Sequence, residues 1–248
     1  MKQRLDKLIV ERGLAPSRER AQALIIAGRV LVDEQKVTKS GQNVAADADL
    51  RLLGDDLRYV SRGGIKLEHA LAHWKIDLNG RNCIDVGAST GGFTDCMLQH
   101  GAAAVIAVDT GRGQIAARLR CDPRVTLLEN TNARFLDAVA LPRPVDFVAM
   151  DVSFISATLV LPAVIAAAFR GPGELIALVK PQFEAGREHV GKGGIVREEA
   201  AQQASVEKVR ACVVGLGGSA VEVVDSPITG AEGNREFLLH AKFSSPRL

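Results

Sequence analysis

Charged residues stand at the ends of several apolar runs in this 248-residue sequence, where their side chains could do chemistry. Asp109, Asp151 and Lys180 each follow an uninterrupted apolar run, and Asp85 lies inside another. The carboxyl ends of parallel strands share one edge of a sheet, so we expect these side chains to meet there. Because a buried charge is costly unless it is paired, Asp151 and Lys180 predict either a functional site or an ion pair that only closes the sheet.

A glycine-rich turn, Gly87-Ala-Ser-Thr-Gly91-Gly92, follows the run that contains Asp85 and precedes a predicted amphipathic helix over residues 93–99. In doubly wound α/β domains, such a turn lets the backbone approach a nucleotide-like ligand outside the carboxyl ends of the strands. Asp109 lies about twenty residues later, where a ribose partner belongs. The pattern therefore predicts a nucleotide-like ligand at this turn.

Three kinds of site compete for the turn. A dinucleotide fingerprint, G-x-G-x-x-G, needs a glycine where Ser89 stands. A hydrolase elbow, G-x-S-x-G, fits residues 87–91, but Asp85 would place negative charge beside the serine, and the candidate base His240 falls in an apparent strand. S-adenosylmethionine carries a cationic sulfonium, an amino group and ribose hydroxyls, which suit the carboxylates of Asp85 and Asp109. This third site is favoured, and the other two stay open as weaker alternatives.

The pattern of elements predicts an α/β protein with a Rossmann-like, doubly wound, mostly parallel sheet, preceded by a small α+β domain. The first domain is expected at residues 1–56, with two helices and then short strands at 30–32, 37 and 50–52. A linker over residues 57–62 leads to the second domain, residues 63–248, which opens with a helix from Gly64 to about Trp74. The strands and helices expected beyond it are residues 84–86, 93–99, 105–109, 115–119, 125–128, 147–151, 157–169, 175–179, 198–216, 221–224 and 237–241.

Composition is that of a folded soluble protein, with 47% hydrophobic and 24% charged residues. Charges near the start stand where a signal peptide needs its apolar segment, and no run approaches the roughly 18 apolar residues of a membrane span, so we expect a cytoplasmic protein. The four cysteines lack metal-ligand spacing and predict reduced thiols and no metal. Residues 1–66 hold 13 basic and 9 acidic groups, an excess that favours nucleic-acid binding or reflects a solvated surface.

Three amino-terminal stretches carry a resemblance: Arg4-Leu-Asp-Lys-Leu8, Gly13-Leu-Ala-Pro-Ser-Arg18 and Ile26-Ala-Gly-Arg-Val30. Residues 3–53 resemble the RNA-binding domain first described in small-subunit ribosomal protein S-four. In that family, basic residues of the two helices and the following turn face the phosphate backbone. The resemblance implies RNA contacts here for Arg4, Lys7, Arg18, Arg20 and Arg29.

A second resemblance begins at residue 59 and rests on Tyr59-Val-Ser-Arg-Gly-Gly-Ile-Lys66, Asp85-Val-Gly-Ala-Ser-Thr-Gly-Gly-Phe-Thr94, Asp151-Val-Ser-Phe-Ile155, Leu178-Val-Lys-Pro-Gln-Phe-Glu184 and Gly233-Asn-Arg-Glu236. These stretches resemble the FtsJ-type ribose 2′-O-methyltransferases, and residues 3–243 resemble their TlyA group, ribosomal RNA methyltransferases often labelled haemolysins. The family's Lys-Asp-Lys-Glu tetrad implies catalytic roles for Lys66, Asp151, Lys180 and Glu236. Arg62 is expected to contact RNA. S-adenosylmethionine is the implied cofactor, with expected contacts at Asp85, Gly87, Ala88, Ser89, Thr90, Gly91, Gly92, Phe93, Thr94, Asp109, Asn132 and Asp151.

The implied chemistry gives each tetrad member a role. A ribose hydroxyl is a poor nucleophile near neutral pH, so it must be aligned with the sulfonium methyl and relieved of its proton. Lys180, beside the second cation Lys66, is interpreted as the base or hydroxyl-orienting group and Asp151 as its partner near the methyl donor. Lys66 and Glu236 are interpreted as positioners of the ribose.

The expected partners are RNA, in particular ribosomal RNA or ribosomal subunits, with no DNA and no membrane. Two alternatives come from other classes: a catalytically inactive RNA-binding or assembly factor, and a haemolysin-like membrane-active protein. Two near-motifs are set aside. Residues 186–193 almost fit a phosphate-binding loop but lack its Ser or Thr, and His69 and His73 have zinc-ligand spacing without the glutamate of that motif.

Overall fold

The computed structural model describes residues 2–15, 17–53, 58–230 and 232–244, and the chain divides into two compact units, residues 1–58 and 59–248. Residues 54–57, which include the end of the first predicted domain and the first residue of the predicted linker, lie outside the described part. Pro16 of the S-four resemblance also lies outside it. The boundaries of the predicted linker, residues 57–62, stay a prediction.

The first unit contains two helices and two small sheets. Its elements are β1 (Lys2–Arg4), α1 (Leu5–Glu11), α2 (Arg18–Ile26), β2 (Val30–Val32), β3 (Gln35–Val37), β4 (Asn43–Ala45) and β5 (Leu50–Leu52). The side chain of Ser17 caps α2 by accepting from the Arg20 amide. β2 lies between β3 and β5, and β1 pairs with β4. β1 and β4 were not predicted, because Lys2-Gln-Arg4 has no apolar residue and Asn43-Val-Ala45 has only one residue that favours a strand.

The second unit alternates strands and helices as predicted. Its elements are α3 (Gly63–Trp74), β6 (Asn82–Val86), α4 (Gly92–Gln99), β7 (Ala104–Val108), α5 (Ala117–Arg120), β8 (Val125–Leu128), β9 (Phe147–Met150), α6 (Ala157–Ala168), β10 (Gly173–Val179), α7 (Pro181–Glu184), α8 (Glu199–Gly215), β11 (Ser219–Asp225) and β12 (Phe237–Phe243). The helix predicted at 115–119 begins later, because the backbone of Ala116 is extended. No helix in the described ranges is long and apolar enough to cross a membrane.

A seven-stranded sheet in the order β11-β12-β10-β9-β6-β7-β8 forms the centre of this unit. The five strands from β10 to β8 are parallel, and β12 runs antiparallel to its two neighbours. The predicted fold class, a mostly parallel doubly wound sheet with a small amino-terminal domain, is confirmed. Because Phe237 at the start of β12 pairs with Val179 at the end of β10, the residue before β12 arrives at the carboxyl edge of the parallel strands.

Glycines bring α3 and α4 together next to that edge. A Cβ at Gly92 would meet Ser61 Oγ at 2.3 Å and the Gly64 amide nitrogen at 3.0 Å, so the two helix starts touch through backbone. The prediction that residues 93–99 form an amphipathic helix is wrong in one respect, since residues 92–98 are all buried. α3 covers the face that would otherwise meet water, and this packing brings Lys66 to the carboxyl edge of the sheet.

Candidate functional site

A cavity of about 600 Å³ opens at the carboxyl edge of the parallel strands. All four tetrad residues line it, from four separate elements: Lys66 in α3, Asp151 after β9, Lys180 after β10 and Glu236 before β12. Asp85 and the glycine-rich turn after β6 form the adjoining wall. The structure thus brings together residues that are spread over most of the second unit.

The four tetrad side chains form two ion pairs. Lys66 Nζ lies 2.6 Å from Glu236 Oε2, with only 10% and 3% of the two side chains exposed. Lys180 Nζ lies 2.5 Å from Asp151 Oδ1 and also donates to Ser153 Oγ at 2.8 Å. Lys180 was expected to act beside the cation Lys66, but each ammonium is paired with its own carboxylate. The charges of these four side chains therefore balance in pairs, which lowers the cost of burying them.

Asp85 has a buried carboxyl group whose two oxygens differ in their hydrogen bonding. Its Oδ2 accepts from the amide and the hydroxyl of Thr94, at 2.8 and 2.6 Å. Its Oδ1 is buried and has no hydrogen-bond partner among the described residues. Burial, opposed by the Thr94 hydrogen bonds and aided by Asp151 and Asp109, raises the pKa of Asp85 from 3.8 to about 7. A ligand in the cavity that carries a positively charged hydrogen-bond donor could bond to this oxygen.

The glycine-rich turn lies against the end of β9. Gly87 has a φ of +88°, and a Cβ there would meet the Asp151 carbonyl oxygen at 2.4 Å, so only glycine fits. The Ser89 amide donates to Asp109 Oδ2 at 2.7 Å, and the Gly111 amide donates to Asp109 Oδ1 at 2.6 Å. Asp109 thereby fastens the turn to the end of β7 and holds its own carboxylate in place.

A second cavity of about 430 Å³ continues the first past the turn. Asp109 and Asn132 line it, and the Asn132 side chain accepts from the Arg134 amide. The two cavities share Gly87, Ser89, Asp151, Ser153 and Phe154. Because they share these residues, the two cavities adjoin and form one groove.

Two of the expected cofactor contacts lie behind the wall of this groove. Thr94 lines neither cavity and instead donates a hydrogen bond to Asp85. Gly91 also lines neither cavity, and a Cβ at this position would lie 2.4 Å from Leu119 Cδ1. Ala88, Ser89, Thr90, Gly92 and Phe93 line the first cavity with Asp85 and Gly87.

The geometry does not assemble a hydrolase site at Ser89. His240 lies within β12, opposite Ile176, and its ring stacks on Trp74 at 5.1 Å. Burial lowers the pKa of His240, and Glu174 partly offsets that effect. This histidine therefore belongs to the interior of the sheet, away from its carboxyl edge.

Several residues that line the cavity, among them Ser153, Phe154, Gln182 and Phe183, were not predicted as site residues. Phe154 is 92% exposed with a φ of 63°, and its ring lies 5.3 Å from that of Phe183. Gln182 also lines the cavity, and its buried Oε1 has no partner among the described residues. Sequence cannot distinguish an exposed aromatic residue from a core one when both follow a strand.

The basic residues expected to contact RNA fall into two groups. Arg4 and Arg18 of the first unit both bond Asp6 Oδ2 at 2.9 Å, and the Asp6 carboxylate is fully buried. Lys7 is exposed, while Arg20 and Arg29 are half-buried. In the second unit, Arg62 is exposed and lines the first cavity.

Within the described residues, no group of three or more His, Cys, Asp or Glu side chains could hold a metal ion. The rings of His69 and His73 stack on each other at 6.2 Å.

Comparison with known proteins gives the same division of the chain into two regions. The family described as FtsJ-like methyltransferase matches residues 59–243, and the S4 domain matches residues 3–50. The chain is 44% identical over 245 residues to the 16S/23S rRNA (cytidine-2′-O)-methyltransferase TlyA of Mycobacterium tuberculosis, covering 98% of this chain and 91% of that protein.

Solved structures agree. A protein named as a candidate hemolysin, from Streptococcus thermophilus, matches with a TM-score of 0.77 and 44% identity over 99% of this chain and 90% of that one. An S-adenosylmethionine-dependent methyltransferase from Mesorhizobium loti shares the fold at a TM-score of 0.52 and 17% identity, over 70% of this chain and 96% of that one.

Proposed function

Because this chain belongs to the FtsJ-like methyltransferase family, and to its TlyA group, we propose that it transfers a methyl group from S-adenosylmethionine to a ribose 2′-hydroxyl of ribosomal RNA. The observation that carries the proposal is the arrangement of Lys66, Asp151, Lys180 and Glu236 around one cavity that adjoins Asp85. The M. tuberculosis relative is named for cytidine, and we take cytidine as the target nucleotide here.

The groove suits S-adenosylmethionine. The unpartnered Asp85 Oδ1 is an acceptor for its amino group, and the turn at Gly87 has no side chain that would block the donor. Asp109, held by two backbone amides, is the acceptor for the ribose hydroxyls, and Asn132 lies on the adenine side. When bound, this cofactor supplies a methyl group on a cationic sulfur.

Lys180 is the group that handles the proton of the target hydroxyl. Because Lys180 is paired with Asp151 as an ammonium, it must first release one proton to solvent before it can act as a base. The amine then keeps two N–H groups, for Asp151 and Ser153, and has one lone pair for the hydroxyl proton. Asp151 then stabilises the ammonium that forms. Lys66 and Glu236 hold the ribose of the target nucleotide, since their paired charges still offer one donor and one acceptor to its hydroxyls.

The RNA is gripped through backbone charge and base stacking. Arg62 at the rim of the cavity can meet a phosphate, and the basic residues of the first unit bind RNA phosphates as well. Phe154 presents its ring to solvent beside Phe183, as a surface on which an unstacked base can lie.

The test is methyl transfer with purified protein. Radiolabelled S-adenosylmethionine and ribosomal RNA from cells lacking this protein should yield labelled 2′-O-methylcytidine after nuclease digestion. Lys180→Met should lose the reaction by about a hundredfold or more. Lys242→Met, which changes an exposed lysine of β12, should match the parent.

Two results would favour the rival functions. A protein that binds donor and RNA with no transfer to any ribosomal substrate, free or assembled, would be an RNA-binding factor. Lysis of erythrocytes by the same preparation, at unchanged levels in Lys180→Met, would point to membrane activity.

A further inference from the structure

Glu184 is a buried carboxylate in the second unit to which neither the tetrad nor the cofactor groove gives a role. It ends α7, four residues after Lys180, and only 2% of its side chain is exposed. Its Oε2 accepts from Ser156 Oγ and its Oε1 from the Ala157 amide, both at 2.5 Å. Lys208 Nζ lies 3.3 Å from Oε2 and donates to the Glu184 carbonyl oxygen.

These contacts join two segments that carry the reacting groups. The acid segment, residues 151–157, runs from Asp151 to the start of α6, and the lysine segment, residues 180–184, runs from Lys180 through α7. At one end of the two segments, Lys180 pairs with Asp151 at 2.5 Å. At the other end, Glu184 binds the start of α6. The two segments are therefore held together at both ends, by Glu184 at one end and by the Lys180–Asp151 ion pair at the other.

The acid segment needs such a brace because its middle is irregular. Residues 152–155 belong to no helix or strand, and Phe154 sits at a positive φ. Between these two contacts, the aromatic rings of Phe154 and Phe183 lie against each other, with their centroids 5.3 Å apart. With both ends fixed, Asp151 and Phe154 keep one position relative to Lys180.

We propose that Glu184 is a positioning residue for methyl transfer, setting the acid segment against Lys180. This inference rests on the proposed function. A carboxylate at a helix start also stabilises the helix by itself, by accepting from an unpaired amide. The two roles differ in their consequences, because a purely structural role would lower stability and donor affinity along with the rate.

The test compares Glu184→Ala and Glu184→Gln with Lys208→Ala in the full chain. Glu184→Ala should lower kcat by roughly 10- to 100-fold, since misplacement of reacting groups by about an ångström costs that much. Its donor affinity should fall much less than its kcat, because Asp85 and Asp109, the residues proposed to hold the donor, lie outside the acid segment. Glu184→Gln should recover most of the loss, because its amide oxygen can accept from Ala157 and its NH₂ group can donate to Ser156.

Lys208→Ala is the matched control, since the Lys208 side chain is 47% exposed and touches Glu184 without touching the acid segment. It should keep the parental kcat. Hydrogen exchange adds a readout that does not depend on activity: Glu184→Ala should speed exchange in residues 151–157 and leave residues 82–95 unchanged.

A parental kcat in Glu184→Ala, unchanged exchange in residues 151–157, or parallel losses in kcat, donor affinity and stability would each overturn the proposal. An inactive parent would instead sink the proposed function, and the exchange pattern would still decide whether Glu184 positions the acid segment.

Discussion

Lys66 and Glu236 stand 170 residues apart in the sequence, yet their charged atoms meet at 2.6 Å inside the second unit. The pair is almost fully buried, so removing one partner leaves an uncompensated charge in the cavity. We expect Glu236→Ala to lower the free energy of unfolding by roughly 3–5 kcal/mol, measured by urea denaturation.

A double variant separates stability from function at this pair. Lys66→Met combined with Glu236→Leu replaces both charges with apolar groups, which should restore most of the lost stability. Methyl transfer should stay abolished in the double variant, because the ribose loses its donor and acceptor. Recovery of activity together with stability would show that the pair only supports the fold.

Asp85 predicts a pH dependence of donor binding. Its pKa of about 7 in the ligand-free protein means that the carboxyl is increasingly protonated below neutral pH, whereas an ammonium ligand needs the carboxylate. Donor affinity should fall about tenfold for each pH unit below 7, and should also fall above about pH 8 as the donor's amino group loses its proton. Calorimetry from pH 5.5 to 9 measures both limbs.

Two substitutions test the assignment of the acidic limb. Asp85→Asn should bind the donor weakly with no acidic limb. Thr94→Val removes a hydrogen bond that favours the carboxylate, so the limb should move to higher pH. Because folding raises this pKa, the ligand-free parent should lose stability relative to Asp85→Asn as pH rises from about 4 to 7. An acidic limb that persists in Asp85→Asn would assign the titration to another group.

The sequence predicted the fold and half of the tetrad from local pattern. Asp151 and Lys180 follow apolar runs, and parallel strands must bring their ends to one edge. Lys66 and Glu236 were reached only through family resemblance, because their placement depends on non-local packing. Glu236 reaches the edge because β12 runs antiparallel, with Phe237 opposite Val179, and no local pattern encodes that register.

Phe154 should matter more for the RNA substrate than for the donor. Its ring is almost fully exposed at the mouth of the cavity, so this side chain contributes little hydrophobic burial to the fold. Phe154→Ala should raise KM for RNA or lower kcat by a factor of about 10 or more, corresponding to the loss of one base stack, with a smaller change in donor affinity and unchanged stability. Phe154→Trp should retain activity.

Phe135 supplies the control for Phe154, since it is 74% exposed but lines neither cavity. Phe135→Ala should leave KM and kcat at parental values. Equal effects of the two substitutions would indicate that loss of any exposed aromatic side chain weakens RNA binding, and that Phe154 is not a specific base-stacking position.

Asp6 in the first unit should govern RNA affinity without touching RNA. Its buried carboxylate accepts from Arg4, Arg18 and Gln22, and the hydrogen bond from Arg4 holds its pKa far below the usual range. Since folding lowers this pKa, the stability it contributes is present above about pH 4 and is lost as pH falls further. Asp6→Asn should therefore flatten the acid side of the stability curve.

The same substitution tests whether the two arginines act as a fixed unit. Asp6→Asn removes one negative charge from residues 1–58, so simple electrostatics predicts tighter RNA binding. If instead Asp6 orients Arg4 and Arg18, RNA affinity should fall several-fold while the salt dependence stays as steep as in the parent. Asp47→Asn, which makes the same change of charge at an exposed carboxylate of the first unit, is the matched control. Filter binding across 50–200 mM salt distinguishes these outcomes, and tighter binding by Asp6→Asn would contradict the orienting role.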